Sequence, residues 1–207
     1  MNKICVVGMG PGGQDYLLPI SRKKIEQADV LIGAKRCFDL VDEQNKEIVI
    51  LQSHYEAMID YIKKKKKKKK IVILVTGDTG FYSLLRFLKN HFNIDELEVH
   101  TGISSMQYMF AAICELWDDA CIQSLHGKDV NFIDLVKNHQ KVSLLTDKKW
   151  TPIKIAEELL KYNVLNKLIY VGENLTYENE KISKFSISEL AKETRPFNMC
   201  VVVIMDE

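Results

Sequence analysis

A turn with two glycines and one carboxylate, Thr76-Gly-Asp-Thr-Gly80, has the clearest chemical potential in this sequence. It follows five apolar residues, 71–75, which are mostly β-branched and therefore typical of a strand buried on both faces. In an open parallel sheet, ligands bind at the carboxyl ends of strands. Gly77 and Asp78 therefore form a candidate site, where the carboxylate accepts hydrogen bonds from a hydroxyl or an amide. A turn carboxylate can equally bond to nearby backbone N–H groups and hold only the turn.

Small and polar residues also stand at the ends of two other predicted strands. Gly10, Pro11 and Gly12 follow the first strand and permit close approach by a ligand or by another backbone. Ser104 and Ser105 follow a later strand, and either can cap the next helix. Each group therefore has a structural interpretation, as a tight turn or a cap, beside the functional one.

The first turn also matches the dinucleotide-binding pattern Gly8-x-Gly10-x-x-Gly13. Pro11 removes a backbone N–H from the loop that would hold a pyrophosphate. The next predicted strand, 28–32, is followed by Gly-Ala-Lys-Arg, without an acidic residue to bind a ribose. These features argue against a nicotinamide or flavin dinucleotide, and against the common class of Rossmann-like methyltransferases.

Strands and helices alternate along the chain, which predicts an α/β fold with a mostly parallel first sheet. The pattern pauses near residue 116, so we expect two domains, 1–115 and 116–207, the second with a mixed sheet and an antiparallel hairpin. Phe81 and Tyr82 open a predicted amphipathic helix over 81–92, where they either pack in the core or line a pocket. The predicted strands are 3–8, 28–32, 47–51, 71–75, 97–101, 120–125, 141–145, 167–171, 180–185 and 199–205. The other predicted helices are 19–27, 34–41, one from 54 into the lysines, one from 105 to 116, 132–138 and 152–162.

The composition is that of an ordinary soluble globular protein, with 46% hydrophobic and 28% charged residues among 207. No apolar run approaches the ~20 residues needed to cross a bilayer, and the N-terminus has no signal-peptide pattern, so we expect a cytoplasmic protein. The five cysteines include no C-x-x-C pair and several lie in apolar runs, which favours buried free thiols over metal ligands. No metal site is predicted.

An unbroken run of eight lysines, 63–70, is the only low-complexity segment. Such a run is compatible with binding to nucleic acid or another polyanion. The alternative is that the lysines close a helix, where they favour the negative end of the helix dipole and stay solvated.

Three motifs after predicted strands identify a family resemblance: Val7-Gly-Met-Gly-Pro-Gly12, Val75-Thr-Gly-Asp-Thr-Gly-Phe-Tyr82 and Thr101-Gly-Ile-Ser-Ser-Met106. Together they resemble the tetrapyrrole methylase family along the whole chain. Three further segments resemble the branch that methylates carbon 5 of cobalt-precorrin-7 or precorrin-6Y: Gly33-Ala-Lys-Arg36, Ser124-Leu-His-Gly127 and Gly172-Glu-Asn-Leu-Thr-Tyr-Glu-Asn-Glu180.

The resemblance implies a homodimer of two α/β domains, with S-adenosylmethionine in the cleft between them and a tetrapyrrole substrate of cobalamin biosynthesis. The cofactor-binding residues are then expected at strand ends: Gly77, Asp78, Phe81, Tyr82, Ser104, Ser105, Leu145, Thr146, Gly172, Glu173 and Asn174. The substrate carries several carboxylates, so basic groups are expected beside the turns that border it. The expected substrate-binding residues are Gly10, Pro11, Gly12, Lys35, Arg36, His126 and Lys128; any one of the four basic residues is also compatible with a solvated surface charge.

Methyl transfer from sulfur to a nucleophilic tetrapyrrole carbon requires mainly alignment, so no catalytic side chain is assigned. The subsequent proton loss needs only a weak base. A carboxylate beside the sulfonium would stabilise the ground state more than the transition state, so Asp78 is expected to bind hydroxyl or amide groups or to hold the turn.

Two departures from the family pattern affect these expectations. Thr79 stands where the family most often has proline, and the chain ends without the fused decarboxylating half of some relatives, so a separate carbon-15 methyltransferase is expected. Other branches, diphthine synthase and the ribosomal-RNA ribose methyltransferase, stay open as alternatives, as does a non-catalytic polyanion-binding protein that uses the lysine run.

Overall fold

The computed structural model describes residues 2–52, 55–127 and 130–207. The chain divides into two compact units, Met1–Ser104 and Ser105–Glu207. The sequence indicated a boundary after residue 115, because the alternating pattern pauses only there. The helix that begins at Ser105 belongs to the second unit, where it packs against the last strand.

The first unit is a parallel five-stranded sheet with helices between its strands. The strands are β1 (Ile4–Gly8), β2 (Val30–Gly33), β3 (Glu47–Ile50), β4 (Ile71–Val75) and β5 (Leu97–His100). The α-helices are α1 (Pro19–Glu26), α2 (Tyr55–Lys65) and α3 (Leu85–Leu88), and 3-10 helices span Gln14–Tyr16, Lys35–Leu40 and Ile94–Glu96. The strand order is β3-β2-β4-β1-β5, and every neighbouring pair is parallel.

Strand β4 is buried on both faces, as its unbroken apolar run predicts. Ile73 packs in a cluster with Met58 and Ile62 of α2, whereas Leu74 packs on the opposite face with Leu31 and Phe38. The lysines Lys63, Lys64 and Lys65 form the last turn of α2, which confirms the expectation that the lysine run closes this helix.

The connections after β1 and β4 leave the sheet in opposite directions. From β1 the chain passes over β4 to reach β2, and from β4 it passes over β1 to reach β5. The two neighbouring loops therefore diverge at a topological switch point, which is where open α/β sheets bind their ligands.

The second unit is a mixed five-stranded sheet of order β6-β7-β10-β8-β9. Its strands are β6 (Cys121–Ser124), β7 (Lys141–Leu145), β8 (Lys167–Glu173), β9 (Lys181–Ser186) and β10 (Cys200–Asp206). Its helices are α4 (Ser105–Ala112), α5 (Phe132–Asn138), α6 (Pro152–Lys161) and α7 (Ile187–Leu190). Strands β6 and β7 are parallel and the other neighbours are antiparallel, so the expected mixed sheet and its β8–β9 hairpin are confirmed.

The predicted helix over 81–92 is the main error in the first unit, because only α3 is α-helical there. The hydroxyl of Ser83 donates to the carbonyl of Thr79 and accepts from the N–H of Leu85. Such local hydroxyl bonds compete with a regular helix, and Tyr82 has a positive φ of 48°. The segment before α3 is therefore a series of bends.

Smaller differences are also local. Helix α4 ends at Ala112 rather than near residue 116, and Cys114 adopts a positive φ of 56° just after it. The short helix predicted over 34–41 is a 3-10 helix. The four-residue α7 was not predicted; Ser186 and Glu189 form its capping box.

Three of the five cysteines, Cys5, Cys37 and Cys200, are buried free thiols, as expected. Burial is the main reason that the pKa of the Cys200 thiol rises to about 12. Cys121 is partly buried and Cys114 is exposed. No helix of the described residues is long and apolar enough to cross a membrane.

Candidate functional site

Asp78 ties the turn after β4 to the loop after β5. Its Oδ1 accepts from the N–H of Gly80 at 2.7 Å, and its Oδ2 accepts from the hydroxyl of Thr101 at 2.6 Å and the N–H of Gly102 at 3.0 Å. Burial alone would raise the pKa of Asp78, but these hydrogen bonds together with that from Thr79 lower it. The carboxylate is therefore ionised at neutral pH and committed to donors of its own chain.

Three glycine backbones meet beside this carboxylate. A Cβ added to Gly102 would lie 2.2 Å from the carbonyl oxygen of Gly77, and one added to Gly8 would lie 2.5 Å from the Cα of Gly102. Neither distance is possible for real atoms, so only glycine at these two positions lets the loops after β1, β4 and β5 pack together.

Gly77 is glycine for a different reason. Its φ is 69°, and a Cβ there would meet nothing closer than the Cα of Ser104 at 3.8 Å. The backbone is thus left-handed at Gly77, and its φ rather than a steric clash favours glycine there.

Gly10, Pro11 and Gly12 are buried. Gly10 and Gly77 exchange two backbone hydrogen bonds, of 2.8 and 3.2 Å, which join the loops after β1 and β4. The hydroxyl of Ser21 in α1 donates to the carbonyl of Gly8 at 3.0 Å and fixes the end of β1. Gly10 therefore has a structural role in the chain, because its backbone joins the loop after β1 to the loop after β4.

Phe81 and Tyr82 form an edge-on aromatic pair with ring centroids 4.7 Å apart. Neither belongs to the core: Phe81 is partly exposed, and Tyr82 is 39% exposed. Ser104 is buried at the end of the loop after β5, and Ser105 is the first residue of α4. The structure thus keeps two aromatic rings on the surface directly after the Asp78 turn.

Lys35 and Arg36 are exposed in the 3-10 helix after β2. The guanidinium of Arg36 donates to the hydroxyl of Thr76 at 3.0 Å. Arg36 therefore reaches the same strand-end region as Gly77, and no contact of Lys35 with that turn is observed.

Most of the predicted residues of the second unit lie at or just after the C-terminal ends of the inner strands β7 and β8. Leu145 and Gly172 are the register partners of Val201 on its two sides, because β10 lies between β7 and β8. The hydroxyl of Thr146 donates to the carbonyl of Cys200 at 2.7 Å. Asn174 follows β8 with a positive φ of 47°.

Glu173 is buried and paired with Arg195. The guanidinium donates to both carboxylate oxygens, at 2.7 and 3.0 Å, and stacks on Phe197 with 3.9 Å between Cζ and the ring centroid. The carboxylate of Glu173 is therefore neutralised by its own chain, and a ligand would meet the backbone around Glu173 more readily than its side chain.

His126 is exposed beside the end of β6, and its N–H donates to the hydroxyl of Ser124 at 3.2 Å. Asp147, just after β7, accepts from the backbone N–H groups of Trp150 and Gly127 at 2.7 and 3.3 Å. The bond from Trp150 is the main reason that the pKa of Asp147 is lowered, and the bond from Gly127 lowers it further. The predicted residue Lys128 lies outside the described residues.

A family model of tetrapyrrole (corrin/porphyrin) methylases matches residues 3–191. The chain belongs to the tetrapyrrole methylase family. It is 35% identical over 204 residues to the cobalt-precorrin-7 C(5)-methyltransferase of Salmonella typhimurium, with 99% of each chain covered. It is 39% identical over 196 residues to a probable cobalt-precorrin-7 C(5)-methyltransferase of Methanocaldococcus jannaschii, with 91% of each covered.

Solved structures of this methylase family share the fold. A precorrin-6Y methylase of Archaeoglobus fulgidus has a TM-score of 0.76 at 20% identity, covering 99% of this chain and 98% of that one. A uroporphyrin-III C-methyltransferase of Thermus thermophilus, solved with S-adenyl homocysteine, has a TM-score of 0.73 at 19% identity, covering 99% and 92%.

Three hydrogen-bonding side chains of this methylase were not predicted from the sequence. Thr101 donates to Asp78 and Arg195 donates to Glu173, both predicted site residues. Tyr108 donates to the carboxylate of Glu180 at 3.0 Å. A threonine before the glycine of the β5 exit loop was the one local signal available. The other pairs join residues 22 and 72 positions apart, a distance at which sequence spacing predicts nothing.

Proposed function

We propose that this protein transfers a methyl group from S-adenosylmethionine to carbon 5 of a cobalt-precorrin-7 or precorrin-6Y type tetrapyrrole in cobalamin biosynthesis. The observation that carries the proposal is the identity of 35% over nearly the whole chain to a cobalt-precorrin-7 C(5)-methyltransferase. The fold that the chain shares with a precorrin-6Y methylase supports it, as do the two backbone hydrogen bonds that join the turns after β1 and β4.

The residues after β4 and β5 fit an adenosyl and amino-acid ligand. The space at Gly77 is not sterically blocked, and Tyr82, at the end of the same loop segment, presents an exposed ring. Helix α4 begins at Ser105, and the positive end of a helix dipole favours an anionic group such as a carboxylate. When bound, S-adenosylmethionine supplies a methyl group on a positively charged sulfur.

We assign the cofactor contacts to the strand ends of both units. The residues proposed are Gly77, Phe81, Tyr82, Ser104, Ser105, Leu145, Thr146, Gly172, Glu173 and Asn174, with Asp78 as the residue that shapes the turn. For Glu173 the proposed contact is through its backbone, because Arg195 already pairs its carboxylate.

Asp78 is proposed to act on geometry rather than on the reacting atoms. Its two carboxylate oxygens already accept three hydrogen bonds from Gly80, Thr101 and Gly102. A site that only aligns the reactants can contribute roughly 7–11 kcal/mol to lowering the barrier. Rigid loops joined by such bonds are what this mode of catalysis requires.

The carboxylates of the tetrapyrrole are proposed to meet basic groups. Arg36 is the strongest candidate, because it is exposed and its guanidinium already reaches Thr76 after β4. Lys35, His126 and Lys128 are proposed to assist, and the buried turn Gly10-Pro11-Gly12 is proposed to border the substrate through its backbone.

Three further features are proposed on the family resemblance: a homodimer, a cytoplasmic location, and a separate decarboxylating carbon-15 methyltransferase that acts in the same pathway.

Other branches of the family, such as diphthine synthase or the ribosomal-RNA ribose methyltransferase, are less favoured, since both curated relatives quoted above carry the carbon-5 name.

Calorimetric titration with S-adenosylhomocysteine tests the cofactor assignment. We expect micromolar binding to the intact protein, and about 3- to 10-fold weaker binding after Tyr82→Ala, since an aromatic contact contributes about 0.5–1.5 kcal/mol. Tyr162→Ala is the matched control, because Tyr162 is a similarly exposed tyrosine next to α6. An absence of binding heat both with and without a corrinoid precursor would contradict the proposed function.

A further inference from the structure

Three side chains with different metal-binding atoms converge on strands β1 and β5. The Sγ of Cys5, a carboxylate oxygen of Glu98 and a ring nitrogen of His100 all lie within 4.8 Å of one another. No other such cluster of three is found among the described residues. The cluster belongs to none of the strand-end loops assigned above.

The parallel register brings these residues together. Cys5 is the direct partner of Glu98, and His100 follows Glu98 by two residues on β5. Because side chains two residues apart on a strand point to the same face, Glu98 and His100 both stand on the face that Cys5 occupies. Two ligands at this spacing on one strand and a third on its neighbour form a compact set.

Thiolate, imidazole and carboxylate are the three ligand types that bind Zn²⁺ in proteins, and an open catalytic or exchangeable site uses three of them with water in the fourth position. We propose that Cys5, Glu98 and His100 form a binding site for a borderline divalent cation such as Zn²⁺. The sequence alone favoured a simple buried thiol at Cys5, because the register that supplies its partners is not visible there.

Lys24 of α1 competes for this site. Its ammonium lies 2.7 Å from Oε1 of Glu98, the same oxygen that His100 Nε2 approaches at 3.0 Å. The ion pair of Lys24 and the hydrogen bond of His100 both involve Glu98, whereas the thiol of Cys5 takes part in neither. Lysine has a long flexible side chain and Lys24 is partly exposed, so it can turn into solvent when a cation takes its place.

The site is accessible from the edge of the sheet. Cys5 is buried, whereas the side chains of Glu98 and His100 are 38% and 20% exposed on the edge strand β5. His100 directly precedes Thr101, whose hydroxyl binds Asp78. A bound cation would therefore fix the end of β5 and, through it, the loop that holds the Asp78 turn.

The test uses the full chain, treated with a chelator and then titrated with Co²⁺ as a spectroscopic substitute for Zn²⁺. We expect thiolate-to-cobalt charge-transfer absorption and visible bands of a tetrahedral ion, both removed by stoichiometric Zn²⁺. Cys5→Ser should abolish the charge-transfer band, and His100→Gln should weaken binding at least about 10-fold, in line with the 10- to 100-fold losses seen for supporting residues of metal sites.

Two further variants separate this site from chance binding. Cys37→Ser removes another buried thiol of the same unit and should leave the spectrum unchanged. Lys24→Ala removes the competing ammonium and should tighten binding. The proposal is overturned by an intact protein without charge-transfer absorption, by bands that survive both Cys5→Ser and His100→Gln, or by binding that weakens in Lys24→Ala. Because His100 is partly exposed, His100→Gln keeps the test decisive if Cys5→Ser does not fold.

Discussion

At the scale of single residues, Asp78 is a carboxylate whose hydrogen bonds lie within its own chain. It occupies the most suggestive position of the sequence, yet its three strong hydrogen bonds are all internal to the first unit. The turn-holding interpretation therefore accounts for its geometry, and the energetic argument against a carboxylate beside a sulfonium points the same way.

Asp78→Asn should destabilise the protein by about 1–3 kcal/mol at pH 7, because an amide nitrogen would face backbone donors in place of a carboxylate oxygen. The folded-state pKa of Asp78 lies below its ordinary value of 3.8. Its stabilisation is thus fully present above pH 3.8 and is lost as the pH falls through the lower, folded-state pKa. Urea unfolding of both proteins at pH 7 and near pH 3 measures the difference. A gap that widens in acid would contradict this role.

Gly102→Ala should destabilise the first unit strongly, by about 3 kcal/mol or more, since its Cβ would overlap the carbonyl of Gly77. Gly77→Ala is the matched comparison. Its Cβ would make only an ordinary contact with the Cα of Ser104 at 3.8 Å, so only the positive φ is strained, at a cost of about 1–2 kcal/mol. Thermal and urea unfolding rank the two variants, and the reverse order would show that the loop contact is not tight.

At the scale of elements, Glu173 and Arg195 join the end of β8 to the segment before β10. Arg195→Met should lower the free energy of unfolding by about 3 kcal/mol, because it leaves the buried carboxylate of Glu173 without its partner. This is the low end for a buried pair, since Arg195 itself is one-third exposed. The double variant with Glu173→Met should recover most of that loss. Urea unfolding measures the free energy of unfolding of both variants. Equal losses in the single and the double variant would mean that packing on Phe197, rather than charge, explains the effect.

Elements whose signals are local could be predicted from sequence. Helix α5 and strand β7 have the predicted bounds because apolar period, cap and turn agree there. The segment 81–92 has a helical apolar pattern, but the hydroxyl of Ser83 diverts its first turn. The sequence predicts that Gly77, Asp78 and the candidate residues of the second unit lie at strand ends, because each ends or follows an apolar run. The roles of Thr101 and Arg195 could not be predicted, because their contacts depend on tertiary structure.

At the scale of the whole molecule, the lysine run tests the alternative of a polyanion-binding protein. Lys65 and Lys66 pair with Glu47 and Glu96, whereas the other six lysines of the run are exposed. Replacing those six by glutamine should leave methyl transfer unchanged and cost no more than about 1–2 kcal/mol through the dipole of α2. Steady-state kinetics and unfolding check both points. Salt-dependent binding of nucleic acid by the intact chain that is lost in the variant, with no methyl transfer by either protein, would favour the alternative.

The most direct test of the proposed function follows the methyl group itself. The protein is incubated with cobalt-precorrin-7 and S-adenosylmethionine carrying a ¹³C-labelled methyl, and the product is examined by ¹³C NMR. The account predicts one new labelled methyl at carbon 5, stoichiometric S-adenosylhomocysteine and no release of carbon dioxide. Label at another ring carbon, or no transfer to the tetrapyrrole by a protein that binds the cofactor, would contradict it.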